Sequence, residues 1–217
     1  MAQIDAELTF RPFDEKDFEP LAELVGRTWL SEFPARAQAA AGRIELAHYL
    51  AAATWSLVAE RGGTIMGAVL LVERGHENPD AGAWTSLEER LAAEAEKDPE
   101  LAEAVRVEMD GVREEAELEG EYAATDAPGA DAAIKLLIVS PDAKGLGIGG
   151  RLFSAAEERL RDTGARGYHL LTDDACDVGF YEHKGLVRAM RRRSGAFWPG
   201  TDPATDEFYV YVFEQAL

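Results

Sequence analysis

The spacing of apolar and polar residues along the chain predicts a protein of mixed strands and helices. Apolar runs or period-two alternation, typical of strands, occur at residues 7–13, 54–60, 64–72, 132–139, 168–172, 186–193 and 207–214. Helical spacing appears after Asp14 as far as Trp29, around Ile44 to Leu50, and at residues 150–163 and 177–183. This order predicts one α/β domain over residues 1–217, with helices packed on a mixed sheet.

A different pattern, acidic and weakly amphipathic, occupies residues 76–130. These residues include 17 acidic and 4 basic side chains, a net charge of −13 within the −19 of the 217-residue chain. Narrow apolar stripes predict two helices, the second capped by Asp98 with Pro99 in its first turn. We interpret the segment as a helical acidic insertion before the central strand. The charge favours a solvated face over a partner-binding surface, and a homodimer contact is a further alternative.

The overall composition excludes several classes of protein. A pI near 4.6 argues against a nucleic-acid binder. The single cysteine, Cys176, excludes a disulfide framework, and no histidine motif pairs with it, so it is interpreted as a half-buried thiol rather than a nucleophile. The four histidines show no metal-ligand spacing, so we expect no metal. Without a long apolar run or a secretory signal, we expect no membrane contact and a cytoplasmic protein.

The most informative segment is a glycine-rich turn between the buried strand at residues 132–139 and the following helix. Four of its six residues are glycine: Gly145, Gly147, Gly149 and Gly150. Glycine permits positive φ and close approach of a ligand, and the free amides that begin a helix attract anions. The turn is therefore predicted to hold a pyrophosphate.

This turn matches two known phosphate-binding motifs only in part. A P-loop ends in Gly-Lys-Ser/Thr, whereas this turn ends in Gly149-Gly150-Arg151. The spacing Gly145-x-Gly147-x-x-Gly150 matches the dinucleotide fingerprint, and Asp173 follows at about the distance that motif requires. However, residues 140–144 separate the glycines from the strand, and the remaining chain is short for the further βα units of that fold.

A third interpretation comes from a resemblance. The pattern Val139-x-Pro141-x-x-Lys144-x-x-Gly147-x-Gly149, followed by an amphipathic helix, resembles the acetyl-CoA site of the GNAT acyltransferase superfamily. The later segment, residues 172–186 with Phe-Tyr-Glu at 180–182, resembles that family's second motif. The resemblance implies a GNAT-like acyl-CoA N-acyltransferase fold, in which the strand before the turn diverges from the next strand, and acetyl-CoA as the acyl donor.

The resemblance also implies roles for individual residues. Backbone groups of Ile138 and Val139 would bind pantetheine, and Tyr181 would protonate the departing thiolate. Asp177, or alternatively Asp174, occupies the place of an asparagine that usually contacts the cofactor. The pyrophosphate would be bound at Lys144, Gly145, Leu146, Gly147, Ile148, Gly149 and Gly150.

The expected function is transfer of an acetyl group from acetyl-CoA to a primary amine of a small molecule or protein, by direct attack. A carboxylate on one of the strands facing the cleft is the expected class of general base, acting directly or through water, without a named residue. The acceptor cleft is predicted from residues 29–43 and the loop at 193–200, with Trp198 either lining it or covering the core. The basic cluster at Arg188 and residues 191–193 is expected to meet the acidic insertion, with the 3′-phosphate of the coenzyme and an acidic acceptor as alternatives. The alternative from another class is a non-catalytic acyl-CoA-binding regulatory module that uses the insertion to bind a partner.

Overall fold

The computed structural model describes residues 7–143, 145–195 and 205–217. The strands are β1 (Leu8–Arg11), β2 (Trp55–Arg61), β3 (Thr64–Glu73), β4 (Ala132–Val139), β5 (Gly167–Asp173), β6 (Val187–Arg193) and β7 (Tyr209–Ala216). The helices are α1 (Phe18–Trp29), α2 (Ala35–Ala52), α3 (Ala81–Ala95), α4 (Pro99–Ala123), α5 (Ile148–Thr163) and α6 (Val178–His183). Each predicted strand and helix is present, and most ends are shifted by a few residues, whereas α2 begins nine residues before the predicted Ile44.

The described strands form one seven-stranded mixed sheet in the order β1-β2-β3-β4-β5-β7-β6. Neighbouring strands are antiparallel except β4 and β5, which are parallel. This sheet confirms the mixed α/β prediction. It also excludes the dinucleotide-binding alternative, because that fold requires a largely parallel sheet of repeated βα units.

Strands β4 and β5 diverge after a short paired segment. Within the described residues, their register joins only Ala133 with His169 and Ile134 with Leu170. The rest of β4, as far as Val139, continues to pair with β3 on its other side. The sheet therefore opens between β4 and β5 just before the glycine-rich turn, which confirms the expected divergence.

Helices cover both faces of the sheet. The apolar stripe of α5, including Leu152, Phe153 and Leu160, packs on one face. Helices α1 and α2 pack on the other face and lie very close together. A Cβ on Gly42 of α2 would lie 2.4 Å from the carbonyl oxygen of Ala22 in α1. This close packing determines where the buried polar residues of α2 lie.

The segment between β3 and β4 forms two helices, as predicted, but its acidic face is not fully solvated. Trp84 of α3 stacks on Phe18 with a centroid distance of 5.4 Å. Leu118 and Tyr122 of α4 are buried against β7. Helix α4 also packs along α2, so some of its acidic side chains lie inside the protein. In the described part of the chain, no helix is long and apolar enough to cross a membrane.

Candidate functional site

The glycine-rich turn has the backbone conformation that the sequence predicts. Gly145 and Gly147 adopt φ of 82° and 66°, which favours glycine, and Gly147 is the residue before α5. Arg151 is the residue whose N–H donates to the carbonyl of Gly147, at 3.1 Å. The preceding amides, at residues 148–150, have no acceptor in a preceding helical turn and so can bind an anion.

Leu146 and Lys144 were also predicted to bind pyrophosphate, and the structure shows a free amide for neither of them among the described residues. The Leu146 amide donates to the Ala143 carbonyl at 3.1 Å, so it contributes to the turn itself. The Leu146 side chain is exposed. Lys144 lies outside the described residues. Among the described residues of the turn, the first turn of α5 therefore offers amides that are free to bind an anion, whereas the Leu146 amide does not.

Lys184 is a cation beside this turn that the sequence motifs did not single out. Its Nζ atom lies 3.7 Å from the position that a Cβ on Gly150 would occupy. A surface cavity of about 620 Å³ lies beside the start of α5, and its lining residues include Gly147, Arg151 and Lys184. Lys184 follows α6, more than thirty residues after the turn, so only tertiary packing brings its charge to the start of α5.

The two backbone positions predicted to bind pantetheine face opposite edges of β4. The Ser140 N–H donates to the Met66 carbonyl on the β3 side, at 2.9 Å. Backbone groups alternate sides along a strand, so those of Ile138 also point toward β3. Those of Val139 point toward the gap between β4 and β5. Val139 therefore remains available to a ligand in that gap, whereas Ile138 is engaged by the sheet.

Tyr181 lies on α6, the helix that follows β5, and β5 is the strand on the other side of the gap from β4. The helix is capped by the Asp177 carboxylate, which accepts a hydrogen bond from the Phe180 amide at 3.2 Å. The half-buried Tyr181 ring packs against Phe180 and Phe213. Burial, together with nearby acidic groups, raises the pKa of Tyr181 well above its usual value. The phenol therefore stays protonated at neutral pH and can donate a proton.

The two candidates for the missing asparagine both have structural partners. Asp177 caps α6, as described above. Asp174 accepts hydrogen bonds from the Tyr211 hydroxyl at 2.5 Å and from the Tyr209 amide at 2.9 Å. These contacts account for both carboxylates within the fold, and the contact of Asp177 with a cofactor stays a prediction.

Cys176 lies close to Tyr181, where its thiol is unreactive. Burial, reinforced by the Asp173 carboxylate, raises its pKa to about 12. A nucleophilic cysteine needs a lowered pKa, so the half-buried thiol remains the better interpretation. Asp173 accepts hydrogen bonds from the amides of Ala175 and Cys176, at 2.8 and 3.1 Å, and so shapes the turn before α6.

A group of carboxyl groups that sequence reasoning missed also faces this region. Burial, reinforced by Asp173 and Glu108 and opposed by Lys135, raises the pKa of Glu115, on α4, to about 8. Glu115 in turn contributes to the raised pKa of Tyr181, so the two side chains share one environment. Glu45 of α2 and Glu108 also have raised pKa values, caused first by burial and then, for Glu45, by Glu108.

One signal for these residues was present in the sequence. Glu108 and Glu115 are seven residues apart, which places them on the same face of a helix. Nothing in the sequence showed that this face turns toward Tyr181. The predicted acceptor region at residues 29–43 runs from the end of α1 into α2 and stops two residues before Glu45. Of the predicted loop, residues 196–200, including Trp198, lie outside the described residues.

The basic cluster on β6 does meet the acidic segment, as expected. An Nη atom of Arg192 lies 2.5 Å from a carboxylate oxygen of Glu121 on α4. Arg188 and Arg191 instead lie over the rings of Tyr211 and Tyr209, at 4.5 and 3.5 Å from the ring centroids. The cluster therefore contributes to the contact between β6 and α4.

Comparison with known proteins identifies a family. The sequence model of the acetyltransferase (GNAT) family matches residues 18–186, which is most of the chain and includes both the glycine-rich turn and α6. A search of curated proteins found no match.

Solved structures share the fold at low sequence identity. The ribosomal-protein-S18-alanine N-acetyltransferase from Escherichia coli superimposes with a TM-score of 0.56 and 13% identity, over 97% of this chain and 94% of that chain. Ard1 from Thermoplasma volcanium gives a TM-score of 0.53 and 15% identity, over 97% of both chains. An agmatine N-acetyltransferase gives 0.55 and 16%, over 97% of this chain and 100% of that chain.

Proposed function

This chain belongs to the GNAT acetyltransferase family, and from that premise we propose that it transfers an acetyl group from acetyl-CoA to a primary amine by direct attack. The observation that carries the proposal is the gap between β4 and β5, with free helix amides at one end and a protonated tyrosine across it. A pyrophosphate, an extended pantetheine arm and a thioester can be accommodated in that order along such a gap.

The residues at the gap suit the acyl donor. Amides at residues 148–150 would hold the pyrophosphate, and Lys184 would add a positive charge to that end. The Val139 backbone would bind pantetheine as an added strand does, and its N–H would also polarise the thioester carbonyl. The donor supplies an activated acetyl group, because a thiolate is a fair leaving group.

Two side chains account for the proton transfers. The neutral amine forms a C–N bond with the acetyl carbon, and the C–S bond breaks. Tyr181 donates its phenolic proton to the departing sulfur, and Glu115 accepts the proton that the amine nitrogen loses. A carboxylate whose pKa is about 8 holds a proton far more strongly than an ordinary one, so Glu115 is suited to this role near neutral pH.

Release of free coenzyme A in the presence of a panel of amines tests the proposal. We expect Tyr181→Phe to lower kcat by about tenfold, the modest loss expected for a good leaving group, with unchanged affinity for acetyl-CoA by calorimetry. The matched control is Tyr209→Phe, because the Tyr209 hydroxyl donates to the exposed Glu207 instead. Binding of acetyl-CoA without turnover of any amine would favour the non-catalytic module.

The pH dependence tests Glu115. We expect kcat/KM of the wild type to rise with pH until Glu115 is ionised, near pH 8, and Glu115→Gln to lower the plateau by about 100-fold. Titration of the amine affects both proteins equally, so the ratio of the two profiles isolates the carboxyl group. A ratio that is constant with pH would contradict the role of Glu115 as base.

A further inference from the structure

Acidic side chains from three elements lie close to one another, and two of them, Asp173 and Glu115, act on Tyr181. Glu45 comes from α2, Glu108 and Glu115 from α4, and Asp173 from the end of β5. Glu108 and Glu115 keep some exposed surface, although burial is the main cause of their raised pKa values. Groups that are both enclosed by protein and accessible to solvent line a cleft. We call these four residues the carboxylate cleft.

One atom of the cleft lacks a partner that the fold would normally supply. Glu45 is only 2% exposed, and within the described chain its Oε2 atom accepts no hydrogen bond. The Tyr49 hydroxyl and the carboxyl groups of Glu108 and Glu115 are its polar neighbours. A buried acceptor without a donor is unfavourable, so Glu45 Oε2 is a place where a donor of a ligand would be stabilised.

Elsewhere in the described residues, each comparably buried glutamate or aspartate side chain has a cation or backbone N–H donors. Asp17 is paired with Arg11 at 2.6 Å, and Glu73 with Arg159 at 2.9 Å. Lys135, the cation nearest to Glu115, is already paired with Glu119. The carboxylate cleft is therefore the place where the protein has concentrated acid without supplying the opposite charge.

The missing partner is larger than a metal ion. Over the described part of the chain, no three His, Cys, Asp or Glu side chains are placed to share one metal ion. Glu108 and Glu115 are two helical turns apart, a rise of about 10 Å. Carboxyl groups spread over that length match an elongated organic cation, whose charges are also separated by several ångströms.

We propose that the carboxylate cleft binds the second positive group of a diamine or polyamine while the amine to be acetylated lies next to Tyr181 and Glu115. This specificity rests on the acetyl transfer proposed above and adds the class of acceptor. Glu108 and Glu45 are the residues that recognise the distal ammonium group, because they interact with each other, whereas Glu115 and Asp173 are the members that act on Tyr181. Ammonium N–H donors would satisfy Glu45 Oε2 and neutralise the cluster.

Binding of such a cation has a thermodynamic signature. Without it Glu115 retains a proton at pH 7, because burial and the acidic groups around it raise its pKa to about 8, and burial also raises the pKa values of Glu45 and Glu108. A bound ammonium group favours the ionised carboxylates, so protons are released on binding. We expect calorimetric titration of the protein with putrescine at pH 7, in buffers of different ionisation enthalpy, to show net proton release.

The experiment compares two acceptors of equal length. Putrescine carries a second ammonium group, and butylamine ends in a methyl group. We expect the wild type to favour putrescine in kcat/KM by at least about 100-fold, the effect of one strong charge-assisted contact in a shielded site. Glu108→Gln should reduce this ratio by about tenfold. Glu103→Gln, an exposed change on the same helix, should leave both values unchanged.

The outcomes separate this inference from the proposed function. Acetylation of both amines with equal kcat/KM, or a ratio that Glu108→Gln does not alter, would overturn the cation subsite and leave the acetyl transfer intact. Putrescine binding with proton release, without turnover, would contradict the acetyl transfer and support the subsite. Glu45→Gln, which keeps the size of the side chain, should also reduce proton release, and circular dichroism would check that each variant is folded.

Discussion

Two glutamates of α4, one turn apart, behave in opposite ways. Glu119 is ion-paired with Lys135 and lies 3.1 Å from His169 Nε2, and these partners lower its pKa to about 2. Glu115 lies on the preceding turn, where burial and other acidic groups raise its pKa to about 8. The residue type and the helix are the same, so the difference arises from the strands beneath. One turn of the helix is a structural anchor, and the preceding turn carries a carboxyl group with a raised pKa.

The comparison shows how an acidic segment can have two functions. Paired carboxylates fix α4 to the sheet, and unpaired ones create a site whose protonation changes near neutral pH. A segment in which every acid was exposed would do neither, because solvent would screen its charges. Three predictions test this difference between paired and unpaired carboxylates of α4, in order of decreasing effect on stability.

Breaking the anchor should have the largest effect on stability. Glu119→Ala leaves Lys135 and His169 facing each other without a carboxylate, and we expect a loss of about 3 kcal/mol in the free energy of unfolding. Denaturant unfolding measures this loss. Glu117→Ala is the matched control, because the Glu117 side chain is 67% exposed and should change stability by about 0.5 kcal/mol or less. Equal losses in the two variants would show that Glu119 is not an anchor.

The raised pKa of Glu115 should make the stability of the protein depend on pH. The pKa of Glu115 is about 8 in the folded protein against an ordinary value of 4.5, so between these values the folded state holds a proton that the unfolded chain has released. Stability contributed by that proton is present below pH 4.5 and is lost as the pH rises toward 8. Denaturant unfolding at pH 5 and pH 8 measures this loss as a difference in the free energy of unfolding. We expect that difference to be about 2 kcal/mol smaller in Glu115→Gln than in the wild type.

Other groups facing Glu115 set the background for that measurement. Asp173, Glu108 and Glu119 raise its pKa, and Lys135 lowers it. Glu103→Gln on the same helix should retain the full pH dependence of the wild type, because Glu103 is exposed. A wild-type stability that stays constant between pH 5 and pH 8 would contradict the raised pKa of Glu115.

The smallest effect is expected for the exposed ion pair at the outer side of α4. Arg192→Gln removes the contact with Glu121, whose side chain is 59% exposed. Exposed pairs contribute little, so we expect a loss of about 0.5 kcal/mol, which high salt should abolish. Thermal unfolding at low and high salt measures it. A loss as large as that of Glu119→Ala would mean that the anchor extends to β6.

Local patterns in the sequence predicted most of the fold and part of the site. The glycine-rich turn, the divergence before it and the position of Tyr181 on a short helix depend on motifs of adjacent residues, and each was identified. The carboxylate cleft was missed because its members come from α2, α4 and β5. The acidic segment was interpreted mainly as a solvated face, which Glu115 and Glu108 contradict, since a charge count does not reveal which side chains are enclosed.

The chain by itself determined where strands and helices form, because apolar periodicity and glycine conformation act over a few residues. It also determined that a free-amide turn follows β4. Only the tertiary structure decided which carboxyl groups are paired and which are left to take up protons. That outcome depends on burial and on cations contributed by distant strands, and electrostatic neighbours in space need not be neighbours in sequence.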